Sequence, residues 1–223
     1  MRIGVDAREI QNGVITGIGR SLCNFVEYFS KNEQKHDLIL FSENKLPSNL
    51  NSNVKQVIIK PSSTLIWDQV GLPKALKSNK VDLFYSPYYK VPLLTDVPVA
   101  NQILDLMFIE FPLYRNAIGI SGRFYYKFFG RSYAKKSISI ITYSEHAKQD
   151  IIRIWNIDHK KIEVIPLGLG NRYKPVNNFD LLNTVKINLN LPEKFILYLG
   201  NFKPHKNVSS LVKAFKKIKN KFS

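Results

Sequence analysis

Cysteine is nearly absent from this sequence of 223 residues, and so are the features that mark exported or membrane-embedded proteins. Cys23 is the only cysteine, so the chain cannot form an internal disulfide, and a reducing cytoplasm is the expected compartment. No run of about 20 apolar residues occurs, which excludes a transmembrane helix. The N-terminus carries Asp6 and Glu9 where a signal peptide needs an apolar stretch, so we expect no export.

Acidic residues are also scarce. The chain has 33 Lys and Arg against 17 Asp and Glu, which gives a net charge of +16. No acidic residue lies between Glu110 and Glu145, and none follows Glu193. An excess of positive charge indicates which partners a protein can bind rather than which fold it adopts. The candidates here are nucleic acid, anionic lipid and phosphorylated substrates.

Residues 122–136, GRFYYKFFGRSYAKK, lie in the first acid-free stretch and interleave basic with aromatic side chains. One interpretation is a helix with its aromatic rings in the core and its cations in water. The other is peripheral contact with the anionic inner face of a membrane through snorkelling Lys and Arg. Nucleic-acid binding ranks third because no recognised motif accompanies the charge, and we expect no nucleic-acid partner.

Short apolar segments alternate with helical patterns along the first three quarters of the chain. Leu22, Phe25, Val26 and Phe29 repeat at helical spacing, and Ser144 is a predicted N-cap. Alternation of this kind predicts an α/β fold with a parallel sheet covered on both faces. Seven strands are predicted, at 2–6, 37–41, 54–60, 81–86, 97–104, 137–144 and 161–166, with helices near 20–30, 65–76, 121–136 and after Ser144.

The hydrophobic content of 44% is ample for a packed core, and the patterns divide the chain into three parts. Residues 1–168 form the first domain. Residues 169–193 are rich in Asn, Gly and Pro and are predicted to be a linker with at most one short helix. Residues 194–223 begin with FILYLG (195–200), a predicted strand, and continue into an amphipathic helix, which together form the first β-α unit of a second domain.

Two stretches at predicted strand ends are candidates for chemistry. TGIGRS (16–21) supplies glycines and a helix N-terminus at the sheet edge where ligands bind in such folds. The dinucleotide pattern GxGxxG is incomplete because Leu22 replaces the third glycine, so a nicotinamide enzyme is a poor fit and a tight structural turn is an equal alternative. Asp105 ends another strand, where it either serves catalysis or caps the next turn.

A third candidate lies near the C-terminus. Lys203, His205 and Lys206 crowd the loop before the last helix, although cations normally avoid a helix N-terminus. An anion such as a diphosphate between these side chains and the helix amides explains the placement. A solvated basic loop is the alternative.

Four stretches, in this order, resemble glycosyltransferase family 4, the retaining enzymes of GT-B fold. TGIGR is similar to the family's glycine loop. LIWDQVGLPKAL (65–76), followed by VDLFYSPYYKVP (81–92), resembles its helix and strand pair. ITYSEHAKQDIIRIWNIDHKKIEVIPLGL (141–169) resembles the end of the N-terminal domain, and YLGNFKPHKNVSSLVKAF (198–215) resembles the start of the donor-binding domain. The resemblance covers most of the chain.

The resemblance implies an N-terminal, acceptor-side Rossmann-like half of a GT-B fold, followed by a truncated second Rossmann-like domain. It implies transfer of a sugar from a nucleotide-sugar donor, with retention, to a glycan or lipid-linked acceptor in glycan, polysaccharide or glycolipid synthesis. No metal or other cofactor is implied, because basic side chains and helix dipoles stabilise the leaving diphosphate. Lys206 would contact the diphosphate, Gly17 and Gly19 would approach the donor by their backbone, and Arg20 would lie near the cleft.

Three departures from the family pattern bear on activity. Many members have a histidine directly before the aspartate at the strand end, and here Leu104 takes that place before Asp105. Asn201 replaces an arginine, for which Lys203 is a substitute. The glutamate pair that grips the sugar and ribose has no counterpart after Glu193. We therefore expect a truncated chain, inactive alone, that needs a complementing C-terminal domain; the alternative is a non-catalytic module that binds anionic lipid or nucleic acid.

Overall fold

Seven parallel strands form one sheet in the computed structural model of this chain. The structure describes residues 1–11, 16–33, 35–47, 54–60, 63–112, 119–168 and 173–218. The chain divides into two units, Met1–Gly168 and Leu169–Ser223. All seven strands belong to the first unit, in the spatial order β3-β2-β1-β4-β5-β6-β7. They are β1 (Arg2–Asp6), β2 (Asp37–Ser42), β3 (Lys55–Ile58), β4 (Leu83–Ser86), β5 (Val99–Gln102), β6 (Ser139–Thr142) and β7 (Ile162–Val164).

Helices cover both faces of this sheet, as predicted. Leu38 and Leu40 of β2 pack in one apolar cluster with Leu22 and Val26 of the first helix. The alternate residues of the same strand, such as Phe41, pack in a second cluster with Leu72 and Leu76 of another helix. Because successive side chains of a strand point to opposite faces, the two clusters lie on opposite sides of the sheet. The α-helices within the described residues of the first unit are α1 (Gly17–Asn32), α2 (Thr64–Ile66), α3 (Leu72–Ser78), α4 (Met107–Glu110), α5 (Gly119–Lys136) and α6 (Glu145–Trp155).

Helix boundaries follow local chemistry. The predicted cap at Ser144 is confirmed, since its Oγ accepts a hydrogen bond from the amide of Ala147 at 3.2 Å. The predicted interruption near Gly71 and Pro73 is a π-helical turn, Trp67–Gly71, between α2 and α3. Proline has no amide hydrogen to donate to the preceding turn. The Leu72 amide instead donates to the Trp67 carbonyl, five residues back.

Helix α5 corrects the first interpretation of residues 122–136. Tyr133 and Ala134 are buried, as a core-facing helix requires. Phe124 and Phe128, however, are 71% and 68% exposed, so the aromatic rings do not all lie in the core. The helix therefore carries apolar side chains on two faces, of which one packs on the sheet and the other faces water.

The second unit contains α7 (Phe179–Asn188), a 3₁₀ turn (Pro204–Lys206) and α8 (Val208–Ile218). The strand predicted at Phe195–Gly200 is not formed. A strand needs a neighbouring strand to accept its backbone hydrogen bonds, and residues 173–218 contain none. No residue of this described range is buried. Within the described parts of both units, no helix is long and apolar enough to cross a bilayer.

Candidate functional site

The carboxyl edge of the sheet ends in buried polar residues. Asp6, Ser42, Ser86, Gln102 and Thr142 are the last residues of their strands, and each is almost fully buried. Apolar side chains fill strand interiors, so polar side chains at five neighbouring strand ends set this edge apart. In open parallel sheets, ligands bind beyond this edge.

A cleft of about 660 Å³ lies at this edge. Its walls come from three segments that follow strands β1, β2 and β4, together with the start of α2. The lining residues are Ala7, Arg8, Glu9, Ile10, Gln11, Ser42, Glu43, Asn44, Lys45, Thr64, Tyr88, Tyr89 and Lys90. Two tyrosine rings and a mixture of carboxylate, amide and ammonium groups suit a polar ligand with hydroxyl groups, such as a saccharide.

Arg8 lies at the base of the cleft between two buried carboxylates. Its Nη2 donates to Asp6 Oδ2 and to Asp68 Oδ1, each at 2.7 Å. Its Nε adds hydrogen bonds to both oxygens of Asp6, at 3.1 and 3.2 Å. Charge-assisted bonds of this length are the strong ones, and a planar guanidinium supplies several from fixed positions. We call Asp6, Arg8 and Asp68 the Arg8 cluster.

Aromatic side chains complete the surroundings of Arg8. Its guanidinium carbon lies 3.8 Å from the ring centre of Trp67 and 5.9 Å from that of Tyr88. Trp67 is fully buried, and its indole Nε1 donates to the Ile59 carbonyl. The π-helical turn therefore performs two tasks, because it places Trp67 beside the guanidinium and the adjacent Asp68 against its Nη2.

Burial governs the electrostatics of the Arg8 cluster. Loss of solvent raises the pKa of Asp6 and that of Asp68, and the nearby guanidinium opposes both shifts. Burial alone would lower the pKa of Arg8, but its hydrogen bonds to Asp6 and the charges of both carboxylates outweigh this and raise it. Burial, the negative charges of Asp6 and Glu9, and a hydrogen bond with Glu9 likewise raise the pKa of Tyr88, so its hydroxyl stays neutral.

A second polar chain joins three strand ends to α1. The Tyr85 hydroxyl donates to Gln102 Oε1, and Gln102 Nε2 donates to the Tyr143 oxygen. The Tyr143 hydroxyl lies 3.1 Å from Ser21 Oγ in the first turns of α1. This chain fixes the position of α1 relative to the sheet edge.

The glycine-containing turn before α1 is tied to the cleft through Glu9. Thr16 donates its hydroxyl to Glu9 Oε2 at 2.5 Å and accepts from the Gly19 amide at 2.9 Å, so it caps the helix. A Cβ at Gly19 would lie 2.4 Å from the Glu9 carbonyl oxygen, whereas one at Gly17 would meet nothing within 4 Å. Gly19 therefore permits close packing, while Gly17 leaves open space at the helix start.

The structure brings some of the sequence-predicted site residues together and leaves others apart. Gly17, Gly19 and Arg20 begin α1 next to the cleft residue Glu9. Asp105 is exposed and does not line the cleft. Its Oδ1 accepts a hydrogen bond from the Met107 amide at 3.0 Å, as expected if Asp105 caps the next turn.

The predicted donor-side residues lie in the second unit and are exposed. Asn201 Oδ1 accepts from the Lys203 amide at 3.2 Å, and the Lys206 amide donates to the Lys203 carbonyl at 2.9 Å. These bonds hold Asn201, Lys203 and Lys206 in one short basic loop directly before α8. The side chains of Lys203 and Lys206 are exposed in this loop.

Sequence reasoning missed the residues with the most distinctive geometry, namely Arg8, Asp68 and Tyr88. Arg8 follows β1 by two residues, and that spacing from Asp6 at a strand end is a usable signal for a local ion pair. Asp68 lies 60 positions further along the chain, so only the fold brings it to Arg8.

Known proteins match this chain in sequence and in fold, although no family model matches. The chain is 24% identical over 169 residues to the O-antigen chain mannosyltransferase RfbU of Salmonella typhimurium, a match that covers 75% of this chain and 42% of that protein. The crystal structure of a glycosyltransferase from Rickettsia africae superposes with a TM-score of 0.61 at 16% identity and covers 98% of this chain and 57% of that one. The galactosyltransferase WaaB, at a TM-score of 0.48 and 10% identity over 76% of this chain and 46% of WaaB, is too distant to carry an argument.

These findings define the fold class of the chain and its similarity to glycosyltransferases. The fold is a Rossmann-like α/β sheet of the kind found in GT-B glycosyltransferases. The similarity to RfbU supports homology with a glycosyltransferase. The chain spans 42% of RfbU and 57% of the Rickettsia structure, so it matches about half of each relative.

Proposed function

We propose that this chain is the acceptor-side part of a retaining, family 4 glycosyltransferase that moves a hexose from a nucleotide sugar to a glycan or lipid-linked acceptor. The observation that carries the proposal is the similarity to a mannosyltransferase over 169 residues, or 75% of this chain. The polar cleft at the carboxyl edge of the sheet adds a site of suitable chemistry.

The cleft is the proposed acceptor site. Glu9 accepts hydrogen bonds from sugar hydroxyls, and Lys45 and Lys90 donate to them. Tyr88 offers a neutral hydroxyl and an apolar ring, a combination suited to a sugar with polar edges and an apolar face. The Arg8 cluster supports the floor of this site and takes no direct part in the chemistry.

Each unit carries its own proposed donor contact, namely the start of α1 in the first unit and the basic loop before α8 in the second. Gly17 leaves open space for a close backbone approach, Gly19 lets the helix start pack against Glu9, and Arg20 supplies positive charge beside them. Lys203 and Lys206 supply the positive charge that neutralises the diphosphate as it leaves, Asn201 adds a neutral polar contact, and no metal is required. Asp105 is the proposed catalytic carboxylate, by its position after β5.

We propose further that these 223 residues do not turn over alone. The resemblance implies a glutamate pair for the sugar and ribose, and no acidic residue follows Glu193. A donor domain carrying such a pair, supplied in the same chain or separately, would complete the site.

The test has a binding part and a transfer part. The 223-residue chain is titrated with mannose-, galactose- and N-acetylglucosamine-terminated oligosaccharides, and isothermal calorimetry measures affinity. One of them should bind, and Glu9→Gln should weaken it about fivefold or more, the loss expected for a charged hydrogen-bond partner. The matched control is Glu33→Gln, because Glu33 lies outside the cleft. Absence of saccharide binding, or equal effects of both variants, would refute the cleft as acceptor site.

Transfer is measured with radiolabelled nucleotide sugars, including GDP-mannose, with and without a separately expressed donor domain. Turnover is expected only with the donor domain, with unchanged rate in EDTA and a retained anomeric configuration by NMR. Turnover by the 223 residues alone would refute the proposal that they need a donor domain. Inversion of the anomeric configuration would refute the family 4 assignment, and inhibition by EDTA would refute metal independence.

A further inference from the structure

The outward face of α5 combines large apolar side chains with cations on one stripe. Ile120, Phe124 and Phe128 recur every fourth residue and are 72%, 71% and 68% exposed. Lys127, Arg131 and Lys135 are also exposed and lie among them. At about 100° per residue, all six side chains fall within a stripe about 100° wide. We call these six residues the α5 ridge.

The fold does not account for the α5 ridge. The opposite face of α5 already supplies the core contacts, with Tyr133 and Ala134 buried and Gly130 packed on the Trp155 ring. Single exposed apolar residues are normal on protein surfaces. Three that align along a helix form a continuous apolar strip, which marks an interaction surface.

The charge around the α5 ridge selects an anionic partner. The sequence contains no Asp or Glu between Glu110 and Glu145, a span that includes the whole of α5. Of the nearby carboxylates, Glu110 pairs with Arg153 at 3.1 Å. Among the residues that the structure describes, none pairs with Lys127, Arg131 or Lys135.

We propose that the α5 ridge docks this chain on the surface of an anionic lipid bilayer. The rings of Phe124 and Phe128 and the side chain of Ile120 enter the boundary between headgroups and acyl chains, as on amphipathic helices that lie in the membrane plane. The three cations reach outward to lipid phosphates, with their methylene stems along the apolar strip. The proposal is independent of sugar transfer, so either one can fail without the other.

A lipid surface fits better than nucleic acid. Single-stranded nucleic acid is bound in grooves where bases stack on aromatic rings, whereas the α5 ridge is the convex outer side of a helix. The α5 ridge offers no side-chain amide for base edges, and half of its side chains are apolar. Apolar insertion combined with phosphate contact is the requirement of a bilayer surface.

Vesicle co-sedimentation tests the proposal. The 223-residue chain is mixed with vesicles of phosphatidylcholine containing 30% phosphatidylglycerol, or of phosphatidylcholine alone. We expect binding to the anionic vesicles only, weakened at high salt because salt screens charges. The double variant Phe124→Ser/Phe128→Ser should lower the partition coefficient about tenfold or more, and Lys127→Gln/Arg131→Gln/Lys135→Gln should abolish the preference for anionic lipid.

Two controls address other sources of binding. Tyr28→Ser changes a ring with the same 71% exposure on α1 and should leave binding unchanged. Leu211→Ser/Phe215→Ser alters the apolar side of α8, which is also cationic, and should leave most binding intact. Vesicle binding lost in the α8 variant and retained in the α5 variant overturns the proposal.

A fluorescence measurement separates insertion from charge attraction. Trp67 and Trp155 are fully buried and give a constant background. Phe128→Trp should shift its emission to shorter wavelength on anionic vesicles, whereas Tyr28→Trp should not. No shift means no insertion and refutes the proposal. The proposal is also refuted if the chain does not bind vesicles but self-associates, and if the Phe124→Ser/Phe128→Ser variant removes that self-association. The α5 ridge would then be an interface between copies of the chain.

Discussion

Helices α1 and α8 have similar amphipathic patterns but differ in how much of the apolar face is buried. In α1, Leu22 and Val26 are buried against β1 and β2. In α8, Leu211, Val212 and Phe215 follow the same spacing and remain exposed. The difference shows that periodicity specifies a helix with an apolar face, whereas burial of that face depends on a sheet that other parts of the chain must supply.

The largest expected effect comes from breaking the Arg8 cluster, which belongs to the unit with a core. Arg8→Met keeps the side-chain length but leaves Asp6 and Asp68 buried without a cation. Removal of one partner from a buried ion pair costs about 3–5 kcal/mol, and urea unfolding followed by tryptophan fluorescence measures the loss. The loss should shrink at acidic pH, because protonation then neutralises both carboxyls.

The matched change in an exposed ion pair is Arg153→Met, which removes contacts with Glu110 and Asp150. Its effect should be far smaller, since the side chains of Arg153 and Glu110 are largely exposed to water. Equal effects of the two substitutions would show that the Arg8 cluster is solvated.

The next effect concerns packing between α5 and α6. A Cβ at Gly130 would lie 2.3 Å from the Trp155 ring, so Gly130→Ala forces the helices apart. Overpacking of this kind costs about 1–3 kcal/mol in unfolding free energy. Gly17→Ala is the control, because no atom lies within 4 Å of its Cβ position, and calorimetry of both variants should show a lower melting temperature for Gly130→Ala alone.

Sequence reasoning succeeded where information is local. The strands of the sheet and the Ser144 cap of α6 follow from alternation of apolar residues and from a hydroxyl side chain at a helix start. It failed at Phe195–Gly200, which has a strand composition but no strand beside it. It also missed Asp68 beside Arg8, because a contact across 60 positions depends on the assembled sheet.

A smaller effect is expected at high pH. Burial raises the pKa of four tyrosines in the first unit, namely Tyr85, Tyr88, Tyr89 and Tyr133. These groups ionise in the unfolded chain at about pH 10 but stay neutral in the folded one, so the stability they contribute below pH 10 falls as pH rises further. Absorbance at 295 nm and circular dichroism should therefore change together.

The control for this titration is Tyr28→Phe. It removes the ionisable hydroxyl of an exposed ring on α1, so the absorbance amplitude should fall while the pH of unfolding stays the same. Ionisation of all tyrosines before any loss of circular dichroism would show that the four rings are accessible in the folded unit.

The smallest expected effect tests the comparison of the two helices directly. Val26 is fully buried in α1, whereas Val212 is 48% exposed in α8. Both tryptophans lie in the first unit, so their fluorescence reports its unfolding. Val212→Asn should change that unfolding free energy by no more than about 0.5 kcal/mol, as exposed substitutions generally do. Val26→Asn should cost several times more, because it buries an unsatisfied amide in the core. Equal costs would mean that the apolar side of α8 is covered in solution, and the two helices would then differ only in which surface covers them.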